Sequence, residues 1–516
     1  GTSAVVLDRF GFGVIAEARV GYRDDPRFAC LGLGAESPIL PPGEPGEAHQ
    51  PVAVFLAGLE AVLEDLPRAF LSRVAAIDLS AQQHGQVWLG AEGIKAISAL
   101  ARPGAGAPGM PSLASSLGPG LAWERSPIWM SSNTAAEASL LRRALGGAEA
   151  VTARSGSDVP LRFSGPVLIR SARRYPQAWG RTRRFHLISS FLSGVLAAKP
   201  DCPVDWGNGS GTGLMDWKRR AWDGELIAAA ARGMGCPADR LASVLPALAH
   251  PLTIAGPIAA YFAERYGFDP ACRVLVGSGD NPQTKVLASG CLLSLGTSFV
   301  LMAEGDRPHV SANAMYDGLG RPFVFGCRTN GALSWEAIRR RHGLEPGDYA
   351  SSDRALAMSP PGADFRILQT ESESFPVSPP LDLGACGDFA ADYAGVVDAS
   401  LCLLYLGSKP FAKAGGIAAT GGGAGSQAVL SRIASIWRAR VTPIANAGAA
   451  TGAALAAALA LRSEKGRRSV IEEARSAAAG ARTPVEPDPA LVRAYHRPGG
   501  FLARLEAKAR SLGFSL

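Results

Sequence analysis

Asp280 is the residue whose surroundings most resemble reactive chemistry. It closes the turn Gly277-Ser278-Gly279-Asp280-Asn281-Pro282, after the apolar run 274–276 and ahead of a helical pattern. A carboxylate at the carboxyl end of a buried strand can take a proton as a general base. The same residues also suit a cap, with Asp280 or Asn281 at the helix start and Pro282 in its first position. The residue types alone favour neither role. Lys285, one turn on, reads as a solvated helix residue rather than a phosphate contact.

Gln82-Gln83-His84-Gly85 follows a second apolar run, 74–79. Amides and imidazole both donate and accept, as recognition of a polyol requires, although a lone His in a turn is more often structural. Trp129, Arg162 and the glycine-rich stretch 207–213 are weaker signals. Their ordinary readings are a core aromatic, a surface ion pair and a flexible loop.

Phosphate groups need bare backbone N–H donors and hydroxyls at close range. Gly1-Thr2-Ser3 and Gly296-Thr297-Ser298 each precede an apolar strand pattern and fit as turns of that kind; a plain hairpin turn fits either one too. The strongest nucleotide signal is the run 417–420 leading into Gly421, Gly422, Gly423, Ala424, Gly425 and Ser426, with a helical pattern over 427–438. Strand, glycines and helix start together let an anion lie on backbone with the helix dipole behind it. Helix–sheet packing without a ligand is the alternative. No acidic residue follows at the Rossmann spacing, and GxxxxGK[ST] is absent from the chain. Gly104 to Gly109 matches GxGxxG, but in a Pro-rich loop, and reads as a decoy.

The elements that hold these residues are strands and helices in mixture, hence α/β. Strands 4–7 and 13–20 form a hairpin, a Pro/Gly-rich loop covers 37–49, an amphipathic helix covers 52–66 and a mostly buried strand covers 74–79. The stretch 102–120 reads as loop, with helices over 134–145, 183–199, 222–233 and 254–266. In the second half, strands fall at 274–276, 292–295, 299–303 and 441–444. Two GTS tripeptides before apolar strands, one in each half, point to an internal duplication. A domain rarely begins inside a hairpin, so residues ahead of Gly1, and some between Ser3 and Ala4, are expected to be missing from this sequence.

The chain has 516 residues, 52 Lys+Arg against 45 Asp+Glu, and 47% hydrophobic residues. At about 100–200 residues per domain this length gives two large domains or several small ones. The apolar content excludes a disordered chain. A formal charge of +7 suits an acidic small molecule, and no dense basic block argues for nucleic acid. Eight scattered cysteines without zinc spacing read as reduced thiols of a cytoplasmic protein. No signal peptide opens the sequence. The apolar run 447–461 is mostly Ala and Gly and reads as a packed helix, so no membrane partner is expected.

Together, SAQQHG (80–85), SPIWM (126–130), RFSG (162–165), GDNP (279–282), SLGTS (294–298) and ATGGGAGS (419–426) resemble the FGGY family of carbohydrate kinases, in the family's order across nearly the whole chain. The nearest resemblance is to its xylulokinases of the eukaryotic type. It implies two actin/hexokinase-like (ribonuclease H-like) lobes around a central cleft, divided here as 1–268, sugar-binding, and 269–516, nucleotide-binding. It implies transfer of the γ-phosphoryl of ATP, with Mg²⁺, to the terminal hydroxyl of D-xylulose. Asp280 is then the base. Gln83, His84, Trp129, Arg162 and Asn281 are sugar contacts. Gly1, Thr2, Ser3, Gly296, Thr297, Ser298, Gly421, Gly422, Gly425 and Ser426 serve the nucleotide. The family's metal-holding Asp stands two residues before its first GT, ahead of Gly1, so the metal ligands are unassigned. Ser131 and Asn208 stand where relatives carry Asp. The alternatives are a kinase for another ketose or polyol, and a protein of this fold that binds sugar or nucleotide without turnover. A homodimer is one open oligomeric state.

Overall fold

Alternation sets the first elements. Along β2 (Val14–Val20), Ile15, Glu17 and Arg19 face out while Ala18 and Val20 are buried, the pattern of a strand with one solvated face. It pairs antiparallel with β1 (Thr2–Leu7), Thr2 opposite Val20. In this computed structural model every residue is described except 32, 34–37, 346–347, 362–365, 413–414 and 447. Ser37, at the start of the expected loop, and Ala447, at the start of the apolar run, therefore lie outside the described residues.

Helix α1 (Val52–Asp65) buries Val52, Val54, Phe55, Leu56, Leu59 and Val62, so it is a core helix of the first unit. Three short strands follow: β3 (Ala76–Ile77), β4 (Ser80–Ala81) and β5 (Gln86–Leu89). After them come β6 (Leu121–Trp123), α2 (Ser164–Arg174), β7 (Arg184–Leu187), α3 (Ile188–Leu196) and the single turn α4 (Trp206–Ser210). The unit continues with β8 (Ile254–Pro257), β9 (Arg273–Leu275), β10 (Ser278–Gly279) and α5 (Asp280–Lys285). Their sheets run β8-β9-β3, β10-β4 and β6-β5-β7.

The second unit is built on one six-stranded sheet. Its strands are β11 (Cys291–Leu295), β12 (Phe299–Glu304), β13 (Asn313–Tyr316), β14 (Pro322–Arg328), β15 (Ile417–Thr420) and β16 (Val441–Pro443), in the order β13-β14-β12-β11-β15-β16. Among its helices are α6 (Ala332–Arg341), α7 (Phe389–Ser408) and α8 (Gln427–Trp437). Helix α7 is long and apolar enough to cross a membrane, and it is mostly buried. The chain then returns to the first unit with α9 (Ala449–Ala460).

The division differs from a cut at 268/269. The first unit comprises Gly1–Leu287, Met315–Arg321 and Gly448–Ala478; the second takes the rest. Hydrogen bonding explains the shift: β9 pairs with β3 and β10 with β4, both in parallel, so the chain through α5 stays with the first half.

Four local expectations are corrected. Residues 184–187 form a strand, not the start of a helix, because Arg184–Leu187 pairs with Gln86–Leu89. Ile254–Pro257 likewise pairs with Arg273–Leu275, and the helix begins only at Ala260. The loop at 102–120 contains a helix, Leu113–Leu117, capped by Ser112. The glycine-rich stretch after Trp206 is no flexible loop; its first residues form a buried helical turn capped by Asp205.

Candidate active site

Two parallel strands end side by side and deliver the motif residues of the first unit. Ser278 and Gly279 of β10 lie opposite Ser80 and Ala81 of β4. The residues beyond each strand therefore emerge at one edge, the carboxyl end where α/β proteins hold ligands. Gln83 and Asn281 meet there, Asn281 Nδ2 donating to Gln83 Oε1 at 2.9 Å. Gly279 permits this closeness. A Cβ on it would sit 2.4 Å from Gln83 Cγ and 2.8 Å from Asn208 Oδ1.

Asp280 is the first residue of α5 and half-buried. Its Oδ1 accepts from the Asn281 backbone at 2.9 Å, and the Gln83 backbone also donates to it. Burial opposes these bonds and wins, raising the carboxyl above its ordinary range. The cap expected as the alternative is not what the side chain forms with the helix: it bonds its own neighbour and Gln83, while Gly279 takes the cap position.

His84 is buried, with φ 70, and its Nδ1 lies 2.9 Å from the Gly211 carbonyl. A carbonyl only accepts, so Nδ1 carries the proton and Nε2 is left as an acceptor. Burial, with Arg162 nearby, pushes this imidazole down to about 3, so it stays neutral. Its ring stacks on Phe163 at 4.8 Å. Trp129 is half-exposed on the turn after 125–127, rather than in a core.

Two acids passed over in the sequence support this edge. Asp78, half-buried, accepts from Gln283 Nε2 at 2.6 Å and from the Leu79 backbone at 2.9 Å. Burial, aided by the charge of Asp205, carries its carboxyl up to about 8. Asp205, 1% exposed, holds Ser278 Oγ at 2.6 Å and the Gly207 backbone at 2.8 Å, tying α4 to β10. An acid inside the apolar run 74–79 was the available signal for Asp78. Lys285 is corrected from solvated to buried, at 1% exposure. Of the two positions where the resemblance led to an expectation of Asp, Asn208 donates to Ser189 Oγ at 2.8 Å and Ser131 to the Ala48 carbonyl at 3.2 Å.

The two GTS tripeptides do not share a conformation. Gly296, Thr297 and Ser298 form the hairpin turn between β11 and β12, Leu295 opposite Phe299. The carbonyls of Gly296 and Thr297 accept from Ala332 and Leu333 at the start of α6. Thr2 and Ser3, in contrast, are no turn: they lie within β1 because they pair with Val20 and Arg19, and Gly1 is exposed ahead of them. The Thr2 hydroxyl shares a 2.7 Å hydrogen bond with Tyr22.

In the second unit β15 runs into a glycine turn, Gly422–Gly425, and then α8. Gly421, φ 88, is needed for packing: a Cβ would stand 2.7 Å from Leu295 backbone atoms. Gly422 and Gly425 are different, since a Cβ there meets nothing within 4 Å. The bare backbone of the turn is thus open to a ligand at those two residues. Ser426 is already used, accepting from Val429 as the cap of α8 and donating to Asp353. The backbone N–H groups of Gly104 and Gly106, in the GxGxxG loop, are taken by Glu264 at 2.9 Å each. Among the described residues no three His, Cys, Asp or Glu side chains gather as a metal-ligand set.

Residues 125–286 match the N-terminal domain of the FGGY family of carbohydrate kinases. A probable D-xylulose kinase A of Aspergillus terreus is 30% identical over 334 residues, 61% of this chain and 56% of that protein. The D-xylulose kinase A of Aspergillus niger is 31% identical over the same shares. The chain therefore spans little more than half the length of these relatives. The crystal structure of xylulose kinase from Rhodospirillum rubrum aligns with a TM-score of 0.78 at 18% identity, over 99% of both chains. That of Plasmodium falciparum glycerol kinase with ADP gives 0.70 at 11% identity, over 92% of both. These likenesses establish the fold, which is α/β of the actin/hexokinase type. Residues 125–286 thus resemble the N-terminal domain of the FGGY family of carbohydrate kinases, and the fold along the chain's length is the one seen in the solved kinases it aligns with.

Proposed function

We propose that the chain is an ATP-dependent kinase that phosphorylates D-xylulose to D-xylulose 5-phosphate. The observation that carries the reading is Asp280: a half-buried carboxyl, raised by burial, at the joint edge of β4 and β10 beside Gln83 and Asn281. As base it takes the proton of the terminal hydroxyl as that oxygen bonds to phosphorus and the bond to the departing ADP breaks. Proton transfer of this kind contributes about 10²–10⁴-fold. The Nε2 of His84 accepts from one sugar hydroxyl, and Gln83 and Asn281 present amides to others.

ATP supplies the transferred phosphoryl group. The open backbone at Gly422 and Gly425 is the part of the second unit that suits it, whereas Gly421 and Ser426 serve packing and capping. Thr297 and its neighbours at 296–298 remain the proposed second phosphate contact. The tripeptide at 1–3, extended within a strand, offers no such turn. Mg²⁺ binds through one or two carboxylates with phosphate oxygens and water; Asp78 and Asp280 line one cavity and suit that role. A cytoplasmic setting belongs to the same proposal, supported by the absence, among the described residues, of any disulfide between the eight cysteines.

Ser131 and Asn208 support a second reading, a kinase for another ketose or polyol, or a binding protein without turnover. ADP release over a panel of sugars separates them. Release with D-xylulose supports the first reading, release only with another sugar the second, and saturable binding without ADP the third. Asp280→Ala should abolish turnover with ATP binding nearly intact; retained turnover removes Asp280 from the mechanism.

A further inference from the structure

We propose that Arg220, Arg467 and the Nε2–H of His250 receive the phosphate group of a small molecule on the first unit. Arg220 ends the turn that joins Met215–Asp216 to Ala221–Trp222, and its backbone N–H donates to the Asp216 carbonyl at 2.8 Å. Its φ is 56, a conformation uncommon for residues other than glycine. Aromatic rings, not a carboxylate, hold its guanidinium. Cζ lies 4.5 Å from the centre of the Trp206 ring and 5.0 Å from that of Tyr316. An arginine placed in this way keeps its fork of N–H donors for another partner. Among the described residues its side chain makes no ion pair and no hydrogen bond.

His250 meets Trp206 edge to face, ring centres 4.8 Å apart. Its Nδ1 accepts from the Leu252 backbone at 3.1 Å, so the proton sits on Nε2, which donates. Burial, then the charges of Arg467 and Arg220, hold this imidazole below its ordinary value, so it is a neutral donor near pH 7. A Cβ on Gly320, φ 77, would lie 2.6 Å from Nε2 and cover it; the bare glycine leaves it open. Arg467, on the helix Glu464–Ala479, donates from Nη1 to the Arg462 carbonyl at 2.8 Å and has no acidic partner among the described residues.

The nearby acids are already engaged. Asp317 is 2% exposed, and its Oδ1 accepts from the backbones of Leu319 and Arg321 at 2.9 and 2.8 Å. Asp216 accepts from the backbones of Lys218 and Arg219, and Glu472 from Arg475. Arg475, 3% exposed, still has an Nη2 with no hydrogen-bond partner. The cluster is therefore short of negative charge. Guanidinium donors suit phosphate, and donors from three separate segments suit a tetrahedral anion better than a flat carboxylate. A phosphate held there rests against α4, where a Cβ on Gly207 would lie 2.5 Å from the Tyr316 carbonyl. The same stretch of chain carries Asp205 and Gly211 to Ser278 and His84.

The inference is independent of the proposed activity. Calorimetric titration of the nucleotide-free protein with inorganic phosphate, and separately with glycerol 3-phosphate, tests it. At least one of them should saturate below about 10 mM. Arg220→Gln and Arg467→Gln should each weaken that binding about tenfold or more, since each removes charged hydrogen bonds. Arg219→Gln should leave it unchanged, because Arg219 is 81% exposed beside Asp216. If Arg220→Gln alters the circular dichroism of the fold, Arg467→Gln alone decides. Tighter binding of glycerol 3-phosphate supports the site with an organic ester as its ligand, and equal binding supports it with free phosphate. Absence of saturation with either anion, or affinity kept in the Arg467 variant, would overturn the proposal. Binding of long polyphosphate alone would overturn it too, and make the cluster a polyanion surface.

Discussion

Replacing Asp78 by Asn should make the protein more stable at pH 8.5 and leave it unchanged near pH 4. The folded state raises the Asp78 carboxyl from 3.8 to about 8, through burial and then the nearby charge of Asp205, against the hydrogen bonds from Gln283 and Leu79. Between those two values the folded chain holds a proton that the unfolded chain has released. Stability then falls as pH rises through the interval and levels off above pH 8, where both states are ionised. At 1.36 kcal/mol per pH unit the displacement sets a ceiling near 6 kcal/mol. Asp78 is only half-buried, in the wall of a cavity that water can enter, so about 2 kcal/mol is the expected gain at pH 8.5. Asn keeps an oxygen for the Gln283 donor, so packing is little changed. Urea unfolding of both proteins at pH 4, 6 and 8.5 reads the difference directly. A constant difference across the three, or a less stable Asn variant at pH 8.5, would show that Asp78 is ionised in the fold and that its bond to Gln283 is charge-assisted.

The remaining predictions concern the proposed sugar and nucleotide contacts. His84→Ala should raise the KM for the sugar about tenfold, by loss of one buried acceptor, with a smaller effect on kcat. Because burial holds His84 near 3, the sugar KM of the unaltered protein should show no transition between pH 5.5 and 8 from this residue; an inflection near 6.5 would contradict its neutral state. Gly421→Ala should destabilise by about 1–3 kcal/mol in denaturant titration, since its φ of 88 and the Leu295 backbone leave no room for a methyl group. Gly422→Ala should leave stability within about 0.5 kcal/mol, as its Cβ meets nothing, yet raise the KM for ATP; an unchanged KM would confine the glycine turn to packing.

The residues that could be read from the sequence were those whose local pattern and spatial role coincide. Gly279-Asp280-Asn281-Pro282 and Gln82-Gln83-His84-Gly85 each follow an apolar run, and parallel pairing of Ser278 and Gly279 with Ser80 and Ala81 brings the two together. Where pairing is non-local, local pattern misled. Arg184–Leu187 reads as the opening turn of a helix until Gln86–Leu89 claims it as a strand. Lys285 has the look of a surface residue on a short helix, yet it is buried, and the helix that carries it packs against α9, where a Cβ on Gly452 would lie 1.9 Å from the Gln283 carbonyl. The two GTS tripeptides are alike in letters and differ in shape: 296–298 bridge β11 and β12, whereas Thr2 and Ser3 pair with Val20 and Arg19 within β1.

The edge formed by β4 and β10 is supported from below by Asp205, which holds Ser278 and the turn of α4, and from the side by Gln283 and Asp78. Asp78 and Asp280 both border the cavity between β1 and β3. Burial raises both carboxyls against the hydrogen bonds made to them, so the acid proposed as base and the acid that holds Gln283 share one penalty on the charged form, and that penalty grows with any drying of the wall.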